Sequence, residues 1–145
     1  MATVFEVAEY ILLKQGEMTA MKLEKLVYYS QAWSLVWDEK ALFDARIEAW
    51  ANGPVVPQLY FSHRGAFKVD ERLFQQANVG NLTEDEIETI DVVLETYGGK
   101  TPSWLSELTH REAPWKDARE GLRLGERGNN EITHSSMAEY YESLL

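Results

Sequence analysis

The sequence contains no cysteine. Disulfides, thiolate metal sites and cysteine nucleophiles are therefore excluded, although this absence alone does not fix the compartment. No apolar run approaches the roughly 20 residues that a membrane-spanning helix needs. The stretch Met1 to Glu6 has no positively charged leader and carries an acid where a secretion signal is apolar. A cytoplasmic protein without a membrane partner is the expectation. Basic residues are scarce: 14 Lys and Arg stand against 24 Asp and Glu, for a net charge of −10. Phosphate backbones repel such a chain, so nucleic acid is a poor partner and a basic protein a better one.

Catalytic patterns are missing too. Neither Gly98-Gly99 nor the glycines between Gly121 and Gly128 form a phosphate cradle, and no serine stands in a nucleophile elbow. His63, His110 and His134 lie far apart, and none has a second histidine at metal-binding spacing. One enzyme reading remains, a proton transfer by His110 with Glu112, yet residues two apart on a helix face different directions. His110 is expected instead to serve the last carbonyls of its helix. The expectation is a protein that is not an enzyme, with no catalytic, cofactor-binding or metal-binding residues.

What is present is enough apolar material for one folded domain over residues 1–145, since 45% of the residues are hydrophobic. Lys22 to Trp37 contains no Gly or Pro and places Leu23, Leu26, Val27, Trp33 and Trp37 at helical spacing. Tyr28, Tyr29, Ala32, Leu35 and Val36 fill most other directions, leaving a narrow polar strip through Glu24, Gln31 and Ser34 or Asp38. A helix apolar nearly all round is a buried one, here capped by Thr19. Lys22 and Lys25 lie on it, so at least one should bury its stem and pair with Glu48 or another acid.

Around this centre the chain reads as mainly α, with at most a small β element. Thr3 to Gln15 is amphipathic and ends at Gly16. Alternation near Arg46–Trp50 suggests a brief strand, Asn52-Gly53-Pro54 a turn, and Pro57 the start of a helix stopped by His63-Arg64-Gly65. Residues 66–82 carry no clear pattern. Thr83 with Glu86 forms a capping box for a helix burying Ile87, Ile90, Val93, Leu94 and Tyr97. Thr101-Pro102 starts another with Trp104, Leu105 and Leu108 inward, and Pro114-Trp115 a short turn or helix through Arg119. Gly121 to Glu131 reads as an exposed loop, and Ser135 or Ser136 caps a last helix. Trp33, Trp37 and Trp104 are expected in the core. Trp50, Tyr60 and Trp115 adjoin turns, where rings either cap loops or form interfaces.

Three motifs resemble a known family. They are Lys22-Leu23-x-Lys25-Leu26-x-Tyr28-Tyr29-x-Gln31-x-Trp33, then Ile47-Glu48-Ala49-Trp50-x-x-Gly53-Pro54-Val55-Val56-Pro57-x-x-Tyr60, then Leu105-Ser106-x-Leu108-Thr109-His110 with Pro114-Trp115-x-x-Ala118-Arg119. In this order they are similar to the Panacea domain of the SocA-like antitoxins. The resemblance implies a compact domain that binds and neutralises a protein toxin encoded beside it, often on a prophage or other mobile element. It implies no catalytic residues and does not identify the toxin. The competing reading is an adaptor that hands its partner to a protease, and a homo-oligomer is compatible with either.

Two surfaces are candidates for the partner. Rigid rings and aliphatic residues beside a proline turn lose little entropy on binding, which points to Trp50, Asn52, Gly53, Pro54, Val55, Val56, Pro57, Tyr60 and Trp115. Half of the net charge lies within residues 81–100, and Glu84, Glu88, Asp91 and Glu95 there would steer a basic partner inward. The turn is expected to display Val55 and Val56.

Overall fold

The computed structural model describes residues 2–145. Among them, seven helices run in chain order: α1 Val4–Gln15, α2 Ala20–Trp37, α3 Pro57–His63, α4 Glu84–Tyr97, α5 Pro102–Arg111, α6 Ala113–Ala118 and α7 His134–Glu142. Four short strands, β1 Met18–Thr19, β2 Glu48–Trp50, β3 Gly53–Val55 and β4 Lys68–Val69, make two antiparallel pairs, β1 with β4 and β2 with β3. The protein is mainly α, and no helix among the described residues is long and apolar enough to cross a membrane.

Helix α2 is the centre, as its sequence predicts. Every side chain from Leu23 to Ser34 is buried, and α1, α4, α5 and α7 pack around it. The expected polar strip is buried as well, which corrects the sequence reading. Gln31 accepts from the Leu42 backbone at 2.7 Å and donates to the Phe43 carbonyl at 2.9 Å, while Ser34 donates to the Lys40 carbonyl at 2.9 Å. These side chains fold the segment after α2 back over the helix, so they are used internally rather than hydrated.

Caps place most helix starts where the sequence puts them. Thr3, Thr19, Thr83 and Thr101 each accept from a first-turn backbone amide, with reciprocal glutamates Glu6 and Glu86 completing boxes at α1 and α4. The last helix is capped by Thr133 rather than by Ser135 or Ser136. Its hydroxyl accepts from Ser136 N at 3.1 Å, so Ser136 is the third helical residue.

Two tryptophans leave the core. Trp37 is 42% exposed at the last turn of α2, stacked on Trp33, and Trp104 is 39% exposed with the Lys100 ammonium over its ring. The inward line of α5 is Leu105 and Thr109, and Trp104 lies about 100° round from Leu105. Residues 66–82 combine local turns with contacts to distant partners. Phe67 accepts from Ala20 N, Lys68–Val69 pair with Met18–Thr19, and Phe74 packs on Phe5.

The turn between β2 and β3 begins one residue earlier than expected. Ala51-Asn52 makes the connection, and Gly53 and Pro54 belong to the strand, opposite Trp50 and Ala49. The far edge of β2 is also paired. Ala49 N donates to the Asn130 carbonyl and Ile132 N to the Ile47 carbonyl, both at 2.9 Å. The long exposed loop after Gly121 therefore ends as a tied-down border of the hairpin.

Candidate functional site

The hairpin, the first turns of α2, the end of α3 and residues 127–129 enclose an open cleft of about 710 Å³. On one wall Trp50 donates from its indole to Glu48 at 2.8 Å, and its ring meets Tyr60 edge-on at 4.8 Å. Tyr60 in turn contacts the His63 ring at 5.4 Å. Asn52 is exposed at the rim, and Pro57 is the first residue of α3.

Behind these residues the hairpin is scaffold. Gly53, Pro54, Val55 and Val56 are all buried, with Val56 at 0% exposure and Val55 presenting only an edge to the cleft. The turn therefore does not display its valines. Both side chains are buried, which corrects the expectation. Trp115 is likewise buried, and its indole donates to the Trp50 carbonyl at 2.8 Å. It lies between the His110 ring, stacked at 4.0 Å, and the Arg119 guanidinium at 5.1 Å. Trp115 thus holds the hairpin and is not a surface anchor.

The floor of the cleft is charged, although it belongs to the most apolar helix of the chain. Glu24 is 2% exposed and bonded through both oxygens: Oε1 accepts from Val56 N at 2.9 Å, and Oε2 meets His63 Nε2 at 2.7 Å. Lys25 is 1% exposed, and its Nζ donates to the Pro54 carbonyl at 3.1 Å. It forms no salt bridge, so the expected pairing with Glu48 does not occur. Glu48 binds Arg46 and Trp50 instead. Burial pulls the Lys25 ammonium down to about 8, against the attraction of the Glu24 carboxylate. Gly53 makes room for it: a Cβ there would lie 2.5 Å from Lys25 Cε, and its φ of +126° belongs to glycine. Glu24 and His63 escape sequence reasoning, though two adjacent charges in an apolar helix were a usable signal.

The acidic helix α4 presents Glu84, Glu88 and Glu95 to solvent. Asp91 departs from that role. It accepts from the Tyr10 hydroxyl at 2.7 Å, and burial followed by this bond pushes the Tyr10 hydroxyl up to about 12. It ties α4 to α1.

His110 and Glu112 do not work on each other. Glu112 Oε1 accepts from the hydroxyls of Tyr29 and Tyr141, both at 2.7 Å. Burial raises its carboxyl above the usual carboxylate range, against these two bonds. His110 stacks on Trp115 rather than serving the carbonyls of α5, and its buried Nε2 has no hydrogen-bond partner among the described residues. Burial, then the Lys25 and Arg119 cations, hold its imidazole below the ordinary value. The described residues contain no group of three side chains placed to hold a metal ion.

The model of a family described as antitoxin SocA-like, Panacea domain, matches residues 23–116. This span runs from the second turn of α2 to α6 and includes the hairpin. No curated protein and no solved structure matches.

Proposed function

Because the chain belongs to the SocA-like Panacea antitoxin family, we propose that it neutralises a cognate protein toxin by direct binding, through the cleft beside Trp50. The observation that carries this reading is the open cleft itself, with Trp50 packed edge-on against Tyr60 in its wall and α2 at its floor. Such pockets supply binding energy, because packed rings lose little freedom on association. The toxin is expected from the reading frame beside this one, on a prophage or other mobile element, and the encounter takes place in the cytoplasm. Nucleic acid has no part in it, since the net charge is −10. The protein acts by occupancy rather than catalysis: Glu112 is engaged by two tyrosines, and His110 is stacked away from it.

Glu84, Glu88 and Glu95 form the steering face for a basic toxin. Reversing their charge should slow association at low salt and leave dissociation unchanged, as stopped-flow binding would record. The primary experiment is co-expression with the product of the adjacent frame. Restored growth together with a stable purified complex supports direct neutralisation. A falling toxin level without a complex supports delivery to a protease and overturns it.

A further inference from the structure

At the C-terminal end of α2 a second recess, of about 230 Å³, opens between Trp37, Asp38 and one face of α4. Asp85, Glu88, Thr89 and Val92 line the α4 side, at the spacing that puts residues on one helix face. Trp33 stacks on one side of the Trp37 ring at 4.9 Å, so the 42% of Trp37 left exposed belongs to its other face and edge. The Asp38 carboxylate is held by the buried Thr89 hydroxyl, which donates to Oδ2 at 2.7 Å, and a carboxylate can accept about four such bonds. Acids on a helix face are ordinarily only solvated. Three features set this recess apart. None of Asp38, Asp85 and Glu88 forms a salt bridge among the described residues, and Lys40, the nearest cation in sequence, forms none either. The last turn of α2 has no basic residue and its C-cap is Asp38, so the negative end of the helix is uncompensated here. The third feature is the indole. Trp104 is exposed to a similar degree and carries the Lys100 ammonium over its ring at 4.8 Å, and buried Trp115 carries Arg119 at 5.1 Å. No cation among the described residues lies over Trp37.

We propose that this recess binds an arginine side chain of the partner protein, its guanidinium paired with Asp38 and lying on the open face of Trp37, with Asp85 beside it. Glu88 stands exposed at the rim and acts on approach, as part of the steering face. The space would hold several waters at about 30 Å³ each, and so admits one planar group. A guanidinium suits it better than an ammonium, because it can bond a carboxylate through two N–H groups and stack on an indole at once. That the arginine belongs to a toxin rests on the antitoxin reading, whereas the recess itself does not. Glu24, at the Trp50 cleft, lies roughly 20 Å along α2 from Trp37 at the helical rise per residue. The recess is therefore a separate point of contact.

The test uses the free protein and three capped residues as probes: N-acetyl-arginine N-methylamide and its lysine and citrulline counterparts, citrulline being the neutral analogue of arginine. Binding is followed by nuclear magnetic resonance at the Trp37 indole and the Thr89 amide. The arginine probe should bind saturably there, with a dissociation constant on the order of millimolar. The citrulline probe should bind roughly tenfold more weakly, and the lysine probe should fall between them. A net charge of −10 attracts any cation, so two substitutions that remove the same charge are compared. Asp38→Asn should lose the preference for arginine, whereas Glu120→Gln, at an exposed acid outside the recess, should keep it. Equal binding of arginine and citrulline, a lysine probe as tight as arginine, no binding at Trp37, or equal losses in the two variants overturns the proposal. The three probes on the native chain keep the test decisive if Asp38→Asn does not fold. No toxin is used, so a failed co-expression with a positive probe result removes the antitoxin reading alone. A stable complex with a negative probe result removes the arginine recess alone.

Discussion

Two buried polar clusters sit one turn apart on α2, and they are finished differently. Around Tyr28 and Tyr29 the network is closed. Glu112 accepts from Tyr29 and Tyr141, the Tyr28 and Tyr141 hydroxyls share a 3.0 Å bond, and Tyr29 stacks at 4.2 Å on Tyr97, whose hydroxyl accepts from the Trp33 indole. It joins α2, α4, α7 and the α5–α6 junction. Around Glu24 and Lys25 the acid is bonded through both oxygens, whereas the base makes a single bond, to the Pro54 carbonyl. A saturated cluster fixes the arrangement of helices and leaves nothing for a ligand. An unsaturated one costs stability. The closed cluster is internal to the helix packing, and the open one borders the candidate cleft.

The largest effect is expected between them, at Val56. Its side chain is fully buried while its amide serves Glu24. Val56→Asp places a charge in the core and should cost more than about 4 kcal/mol, enough to unfold the free domain at 25 °C by circular dichroism. A folded Val56→Asp protein that merely releases its partner faster would return Val56 to the binding surface.

Next comes the closed cluster. Glu112→Ala strands buried tyrosine hydroxyls and should lower unfolding free energy by roughly 3 kcal/mol in urea titration. Glu112→Gln keeps an acceptor and should lose less. A harmless Glu112→Ala would mean that the cage does not hold the helices.

The smallest effect, and opposite in sign, is at Lys25. Its folded pKa of about 8 lies below the ordinary 10.5, so between these values the unfolded chain binds more protons than the folded one. Stability should then rise with pH across that window, and the penalty is fully present below about pH 8. Lys25→Met removes it and should stabilise the free domain at pH 7, by up to roughly 3 kcal/mol before the lost Pro54 bond is deducted. The difference between the two proteins should shrink from pH 8 to 10. Above that the raised hydroxyls of Tyr10, Tyr97 and Tyr140 make both lose stability, because the unfolded tyrosines ionise first. A difference independent of pH would show that Lys25 is not held charged at a cost.

Much of this was legible in the sequence. Helices α1, α2, α4 and α5 announce themselves by threonine caps and apolar stripes, because those signals are local. The β2–β3 hairpin was half visible through its alternation and glycine. What failed was non-local. Residues 66–82 are ordered in part by Ala20 and Phe5, which no window around them contains. Glu24, Gln31 and Ser34 read as a wet strip because polarity predicts exposure only when no loop or histidine arrives to satisfy it. Val55 and Val56 read as display residues because a proline turn looks the same from outside as from inside. Trp50 and Tyr60, singled out as rings beside a turn, line the cleft. Lys25 was found as a buried amine, but with the wrong partner.

Arg119 bears on how the cleft wall is written. Its buried guanidinium donates to the carbonyls of Ala49, Arg123 and Glu126, gripping the loop by its main chain. Carbonyls are common to all residues, so the exposed side chain of Arg127 can be exchanged without loosening that grip, whereas Glu126 also accepts from Arg123 N. The frame and the rim are thereby uncoupled. Random substitution at Arg127, which lines the cleft, should alter which partner is accepted far more often than whether the chain folds.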